Sequence, residues 1–171
     1  MIRRLLILVV LTASIGIAAA DADTLKGRRK GFVLDLGGGG GLHHKPGRNK
    51  AGFAPNINLG WGVTDQVAVS WMAKGLVVRD GGVTGMSDFS GLGITYHLKP
   101  QAPSGFLRVG MGASNLYTLS GRFSQRSGWG ILAGAGSEFH KHWSLGVDGE
   151  WGRIGGLDIL NFMVTISHSR Y

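Results

Sequence analysis

The chain contains no cysteine. That excludes disulfides, thiolate metal sites and a lipid-modified N-terminal cysteine. It is also short of acid, with 10 Asp and Glu against 18 Lys and Arg, for a formal charge of +8. The positive residues do not gather into one helical block, so the basic balance does not point to nucleic acid. Long apolar runs are missing too. The best, residues 5–17, is interrupted by Thr12, Ser14 and Gly16 and falls short of the ~20 residues of a membrane-spanning helix.

That run has another use. Arg3 and Arg4 precede it, and Ala18-Ala19-Ala20 and Ala20-Asp21-Ala22 follow it. A basic n-region, an apolar h-region and small residues at a cleavage site make a secretory signal peptide, read as residues 1–22 with the cut after Ala22. Loss of Arg3, Arg4 and Asp21 takes the formal charge from +8 to +7. Residues 23–30, with Lys26, Arg28, Arg29 and Lys30, form a basic segment expected in the periplasm, where anionic headgroups are a natural contact.

What the chain has in plenty is glycine, 31 of 171 residues. Many of these glycines alternate with apolar residues. From Phe53 to Val63, the large apolar residues Phe53, Ile57, Leu59, Trp61 and Val63 alternate with Ala54, Asn56, Asn58, Gly60 and Gly62. Alternate side chains of a strand point to opposite faces. One face is therefore apolar and the other is glycine and asparagine. The pattern recurs, and predicts eight strands near 31–40, 53–63, 67–78, 89–98, 105–117, 128–139, 143–151 and 157–168. Residues 31–171 then form an all-β, eight-stranded, antiparallel, up-and-down transmembrane barrel, apolar outside and polar inside. Glycine suits the narrow lumen of eight strands. A soluble barrel with the faces inverted is the alternative reading.

The connections at 64–66 and 140–142 read as tight, and 99–104 as a proline-containing turn. Those at 43–52, 79–88, 119–127 and 153–156 read as longer, the asymmetry of an outer-membrane barrel with its N-terminus in the periplasm. Under that topology Trp61, Tyr96, Phe106, Phe139 and Trp143 mark a periplasmic aromatic girdle, and Phe53, Phe89, Tyr117, Trp129 and Trp151 an outer one.

The signal, the eight alternating segments, the stretch Gly130-Ile131-Leu132-Ala133-Gly134-Ala135-Gly136-Ser137-Glu138-Phe139, the stretch His142-Trp143-Ser144-Leu145-Gly146-Val147-Asp148 and the terminal Tyr171 together resemble the small outer-membrane β-barrels of Gram-negative bacteria. These are the opacity-type proteins and the transmembrane domain of the outer-membrane protein A type. The resemblance implies location in the outer membrane, contact with its lipids and lipopolysaccharide, and insertion by the barrel assembly machinery. It implies a structural component, an adhesin or an immune-evasion factor, or less often a lipid-modifying enzyme. The family's terminal aromatic is in phase with the lipid-facing residues. Tyr171 is out of phase with Leu160, Phe162, Val164 and Ile166, so either a bulge near Ser167 restores the phase or the signal departs from the pattern.

Asp35, Lys74, Arg108, Glu138, Asp148 and Glu150 fall on the inward face, near His97. Buried charges need partners. Folding the fifth and sixth strands about Phe123 sets Arg108 against Glu138, and Lys74 can meet Asp148 or Glu150 across the lumen. The expectation is a charge network that plugs the barrel; the alternative is a narrow pore. His43, His44, Lys45, Arg48, Lys50, Arg122 and Arg126, with Arg79, fall in outer connections and are candidates to hold an anionic surface ligand. No nucleic-acid partner, cofactor or metal site is expected. Ser114 and Ser120 lack a matching histidine, so catalysis on lipid A, a further alternative, is not expected.

Overall fold

The computed structural model describes residues 29–45, 47–120, 123–140 and 142–171. The expected signal peptide and most of the basic segment after it lie outside the described residues, as does Arg122. The strands are β1 (Gly31–Lys45), β2 (Arg48–Gly62), β3 (Val67–Asp80), β4 (Val83–His97), β5 (Gly105–Thr118), β6 (Ser124–His140), β7 (Trp143–Ile154) and β8 (Leu157–Arg170). Each pairs antiparallel with its neighbours in sequence. β1 also pairs with β8, from Leu34↔Arg170 to His44↔Leu160, so the sheet closes into a barrel without a free edge. An even number of strands brings both chain ends to one rim, called here the terminal rim; the opposite one is the hairpin rim.

The alternation has the predicted sense. On β4, Leu92, Ile94 and Tyr96 are exposed while Gly91 and Gly93 are buried. Among the described residues 28 large apolar side chains are exposed, from Phe32 to Ile166. Meanwhile Asn56, Lys74, Arg108, Asp148, Glu150 and Asn161 are buried. A protein folded in water has the reverse arrangement, and the soluble inversion is set aside.

Two aromatics depart from the girdles. Phe89 and Phe106 are 0% and 5% exposed and point into the lumen. Phe89 shares the phase of Gly91 and Gly93, which is inward. Its ring lies where a side chain at Gly110 would stand, and the Phe106 ring does the same at Gly136. The lumen glycines thus make room for two rings as well as for backbone. Phe89 packs with Met72 and Leu132, and a second apolar cluster joins Ala54, Leu76 and Met163.

The hairpin rim also differs from expectation. Its connections are not longer than those of the terminal rim. β3–β4 and β7–β8 turn on only Gly81-Gly82 and Gly155-Gly156, all four at positive φ. Two-residue hairpins need positive φ at both central positions, which glycine adopts without strain. The strands therefore run on through residues read as loop, and Lys45, Arg48, Lys50, Arg79 and Arg126 belong to strands.

Candidate functional site

The lumen charges arise from inward positions of five strands. Lys74 (β3) lies 3.0 Å from one oxygen of Asp148 (β7), and Arg108 (β5) lies 2.8 Å from the other. Lys74 also donates to Asn56 Oδ1 at 2.8 Å, and Asn56 donates in turn to Asp35 at 3.1 Å and Ser167 at 2.9 Å. The guanidinium of Arg108 sits 4.7 Å over the Phe106 ring. Two cations and a shared carboxylate thus cross the barrel, none of them more than 4% exposed.

The expected Arg108–Glu138 pair does not form. The β5–β6 ladder ends at Thr118↔Ser124, two residues short of a turn centred on Phe123, so Arg108 stands opposite Gly134. Glu138 has a different partner. Arg29, just before β1, turns into the terminal rim and binds Glu138 through Nε and a terminal nitrogen. Its other terminal nitrogen donates to the carbonyls of Asp65 at 3.0 Å and Lys99 at 2.8 Å, in the turns after β2 and β4. Tyr171 donates its hydroxyl to the same Glu138 at 2.7 Å. Arg29 is 2% exposed; expected to meet headgroups, it instead closes the rim. Gly31 at φ +104° allows the turn, and Gly62 allows the approach, since a side chain there would collide with the Arg29 carbonyl. β8 keeps its register through Ser167, so there is no bulge there and Tyr171 stays in the inward phase. Behind this latch a cavity of about 40 Å³ is lined by Asp35, His97 and Arg108 among others, room for two or three waters at about 15 Å³ each.

Glu150 has no cation within salt-bridge distance among the described residues. Its oxygens accept from Ser114 Oγ and Asn161 Nδ2, each at 2.7 Å. Asn161 also donates to Ser87 Oγ at 2.9 Å. That fixes the amide orientation, so Asn161 Oδ1 must accept the proton of His43 Nδ1 at 2.6 Å. This chain of hydrogen bonds leads from the lumen to the hairpin rim.

At that rim the first hairpin places His43, Lys45, Arg48 and Lys50 on the inward face, with His43 opposite Lys50 and Lys45 opposite Arg48. Asp80, at the end of β3, accepts from Arg48 at 3.1 Å and lies 2.8 Å from Lys50 Nζ. Lys45 makes no ion pair among the described residues. These groups bound a recess of about 460 Å³ whose far wall includes Ser87, Thr118 and Ser124. His44 takes the outward phase and bonds Asn49; Arg126 is exposed and keeps the inward phase of β6, opposite Leu116 of the recess. Of the residues grouped as basic loops, His43, Lys45, Arg48 and Lys50 line the cup and His44 faces away from it. What unites the cup residues is the ladder of the first hairpin, which runs on through the stretch read as a connection.

No model of a known protein family matches the chain, and no curated protein matches it in sequence. Among solved structures it is similar to Neisserial surface protein A, with a TM-score of 0.59 at 15% identity, over 80% of this chain and 96% of that one. It is also similar to the outer membrane protein OprG of Pseudomonas aeruginosa, with a TM-score of 0.54 at 9% identity, over 85% and 98% of the two chains. At such identities the likeness is one of fold: this is the closed barrel of the small eight-stranded outer-membrane proteins.

Proposed function

We propose that this protein is an outer-membrane barrel with a sealed lumen, non-enzymatic, acting at the cell surface through its basic hairpin rim. The observation that carries the reading is the inside-out arrangement. Exposed Leu, Ile, Val and Trp side chains surround the barrel, while Lys74, Arg108, Asp148 and Glu150 are enclosed. Only an apolar surround makes such an exterior favourable. With the terminal rim in the periplasm, the hairpin rim and its recess face outward.

Three fillings support a seal over a narrow pore: the Lys74–Asp148–Arg108 layer, the Phe89 cluster and the Arg29 latch. Against a lipid-modifying enzyme stands the bonding of Ser114, whose hydroxyl is given to Glu150 and not to a histidine. The direct test is the mobility of membrane-extracted protein in mild SDS, unboiled against boiled, with fractionation. A heat-dependent shift in the outer-membrane fraction is expected. A soluble periplasmic protein without a shift defeats the reading. Unchanged lipid A mass spectra on deletion are expected as well.

A further inference from the structure

The apolar exterior is notched on one side. On β4 the outward phase of Tyr96, Ile94 and Leu92 continues into Ser90 and Asp88. From Tyr96 to Asp88 the strand climbs roughly 20 Å along the barrel axis, at about 3.3 Å per residue and a tilt of about 40°. The lipid-facing band of such a barrel is about 25 Å tall, so Asp88 stands inside it, near its hairpin-rim edge. On β3 the outward apolar series runs past Gly75, the partner of Asp88, to Val77. An ionisable side chain at that depth calls for a named partner.

The surroundings of Asp88 are short of donors. Asn115 gives its Oδ2 a long hydrogen bond of 3.5 Å. Its Oδ1 has no partner and almost no exposed surface, and Asp88 makes no ion pair among the described residues. Across Gly75 the β2–β3 ladder is open. Phe53 pairs with Val77 and Asn56 with Lys74 in one register, but Ala54 and Pro55 make no rung with Leu76 and Gly75. Pro55 has no N–H, so carbonyl acceptors outnumber donors in that gap. Backbone acceptors that face lipid need a partner. Gly75 joins the gap to the carboxylate: a side chain there would meet the Met86 methyl, Pro55 and Asp88.

We infer that this notch binds a primary ammonium group carried by a lipid headgroup. An ammonium brings positive charge and three N–H donors with no acceptor. Those are what the free oxygen of Asp88 and the surplus carbonyls lack. Met86, unbranched and flexible, moves aside to admit it. Calcium would need about six to eight oxygen ligands, and Asp88 is the one carboxylate in the notch among the described residues. Trp71, Leu92 and Ile94 below it are exposed like the rest of the wall, which favours a lipid over a protein chain. The amine can belong to a phospholipid or to an aminated glycolipid. The inference rests on the membrane reading above.

The test uses the full-length mature barrel, shown folded by its heat-dependent mobility and placed in phosphatidylcholine discs doped with phosphatidylethanolamine. Lipid that stays bound on mild extraction is measured by mass spectrometry. Phosphatidylethanolamine should be retained about fivefold above its share of the disc, the upper range of an exposed ion pair. Successive N-methylation of the headgroup should lower that preference in steps, since each methyl removes a donor. Asp88→Asn should abolish it, whereas Asp158→Asn, an exposed carboxylate on β8, should leave it unchanged. Equal retention of the two phospholipids by a barrel that still shows the mobility shift overturns the inference and leaves the membrane reading standing. So does a preference that survives Asp88→Asn. Should that variant fail to fold, the methylation series on the parent decides alone. A dimer in the discs that Asp88→Asn dissolves, without lipid preference, overturns the inference in favour of a second copy. Displacement of phosphatidylethanolamine by an aminated glycolipid, but not by its unaminated form, identifies the glycolipid as the source; no displacement identifies the phospholipid. Both of these uphold the site.

Discussion

The lumen carboxylates look alike in sequence and differ in what surrounds them. Asp148 bridges two buried cations, whereas Glu150 is held by a hydroxyl and an amide. Asp148→Asn strands Lys74 and Arg108, and removing one partner of a buried pair costs about 3–5 kcal/mol. Glu150→Gln keeps the shape and part of the bonding, so its cost is about 1–3 kcal/mol. Urea unfolding in micelles should rank the two variants in that order; the reverse order would reassign the lumen charges. Asp80, at the hairpin rim, makes a pH prediction. The hydrogen bond from Lys50, then the charges of Lys50 and Arg48, hold its carboxyl below the usual value. A depressed carboxylate contributes fully above its unfolded pKa, about 3.9, and loses the contribution as pH falls through the folded value. The difference in thermal unfolding between Asp80→Asn and the parent in micelles should thus stay constant from pH 5 to 8 and vanish only in stronger acid.

At the scale of the strand, phase was legible and length was not. Leu92, Ile94 and Tyr96 fix the outward face of β4 because lipid-side burial selects every second residue. Near the hairpin rim that selection lapses, and Lys45, Arg48 and Lys50 give no alternation, yet the backbone ladder continues from His43↔Lys50 to Lys45↔Arg48. Cross-strand partners were harder still. Register depends on where a hairpin turns, so a two-residue error at the β5–β6 turn misassigned Arg108. Arg29 carried no signal distinguishing it from the neighbouring basic residues; only the fold brings it over Glu138. Glycines now divide by role. At Gly39 a side chain would meet the Val164 carbonyl across the closing β1–β8 seam, while at Gly82 it meets open space. Gly82→Ala should cost about 1–2 kcal/mol, for positive φ alone. Gly39→Ala should cost more and abolish the unboiled fast-migrating form in the mobility assay.

The whole molecule is a closed sheet around a filled interior. Its wall has no edge to pair with other chains, and its lumen is stopped by ion pairs, by Phe89 and by Arg29. Planar-bilayer recordings should show no regular conductance steps for the parent protein. Arg29→Ala opens only the terminal rim, and should also show none while Lys74, Arg108 and Asp148 remain. Steady channels in the parent would favour the narrow pore.

The Glu138 carboxylate receives a group from each end of the described chain, Arg29 before β1 and Tyr171 after β8. The barrel is therefore nearly a ring in its covalent path as well as in its hydrogen bonds. A short linker could join Tyr171 to Arg29, and new ends could be cut at Gly155-Gly156, without removing a rung from any of the eight ladders. Such a circular permutant should fold, and would carry its free ends on the opposite rim.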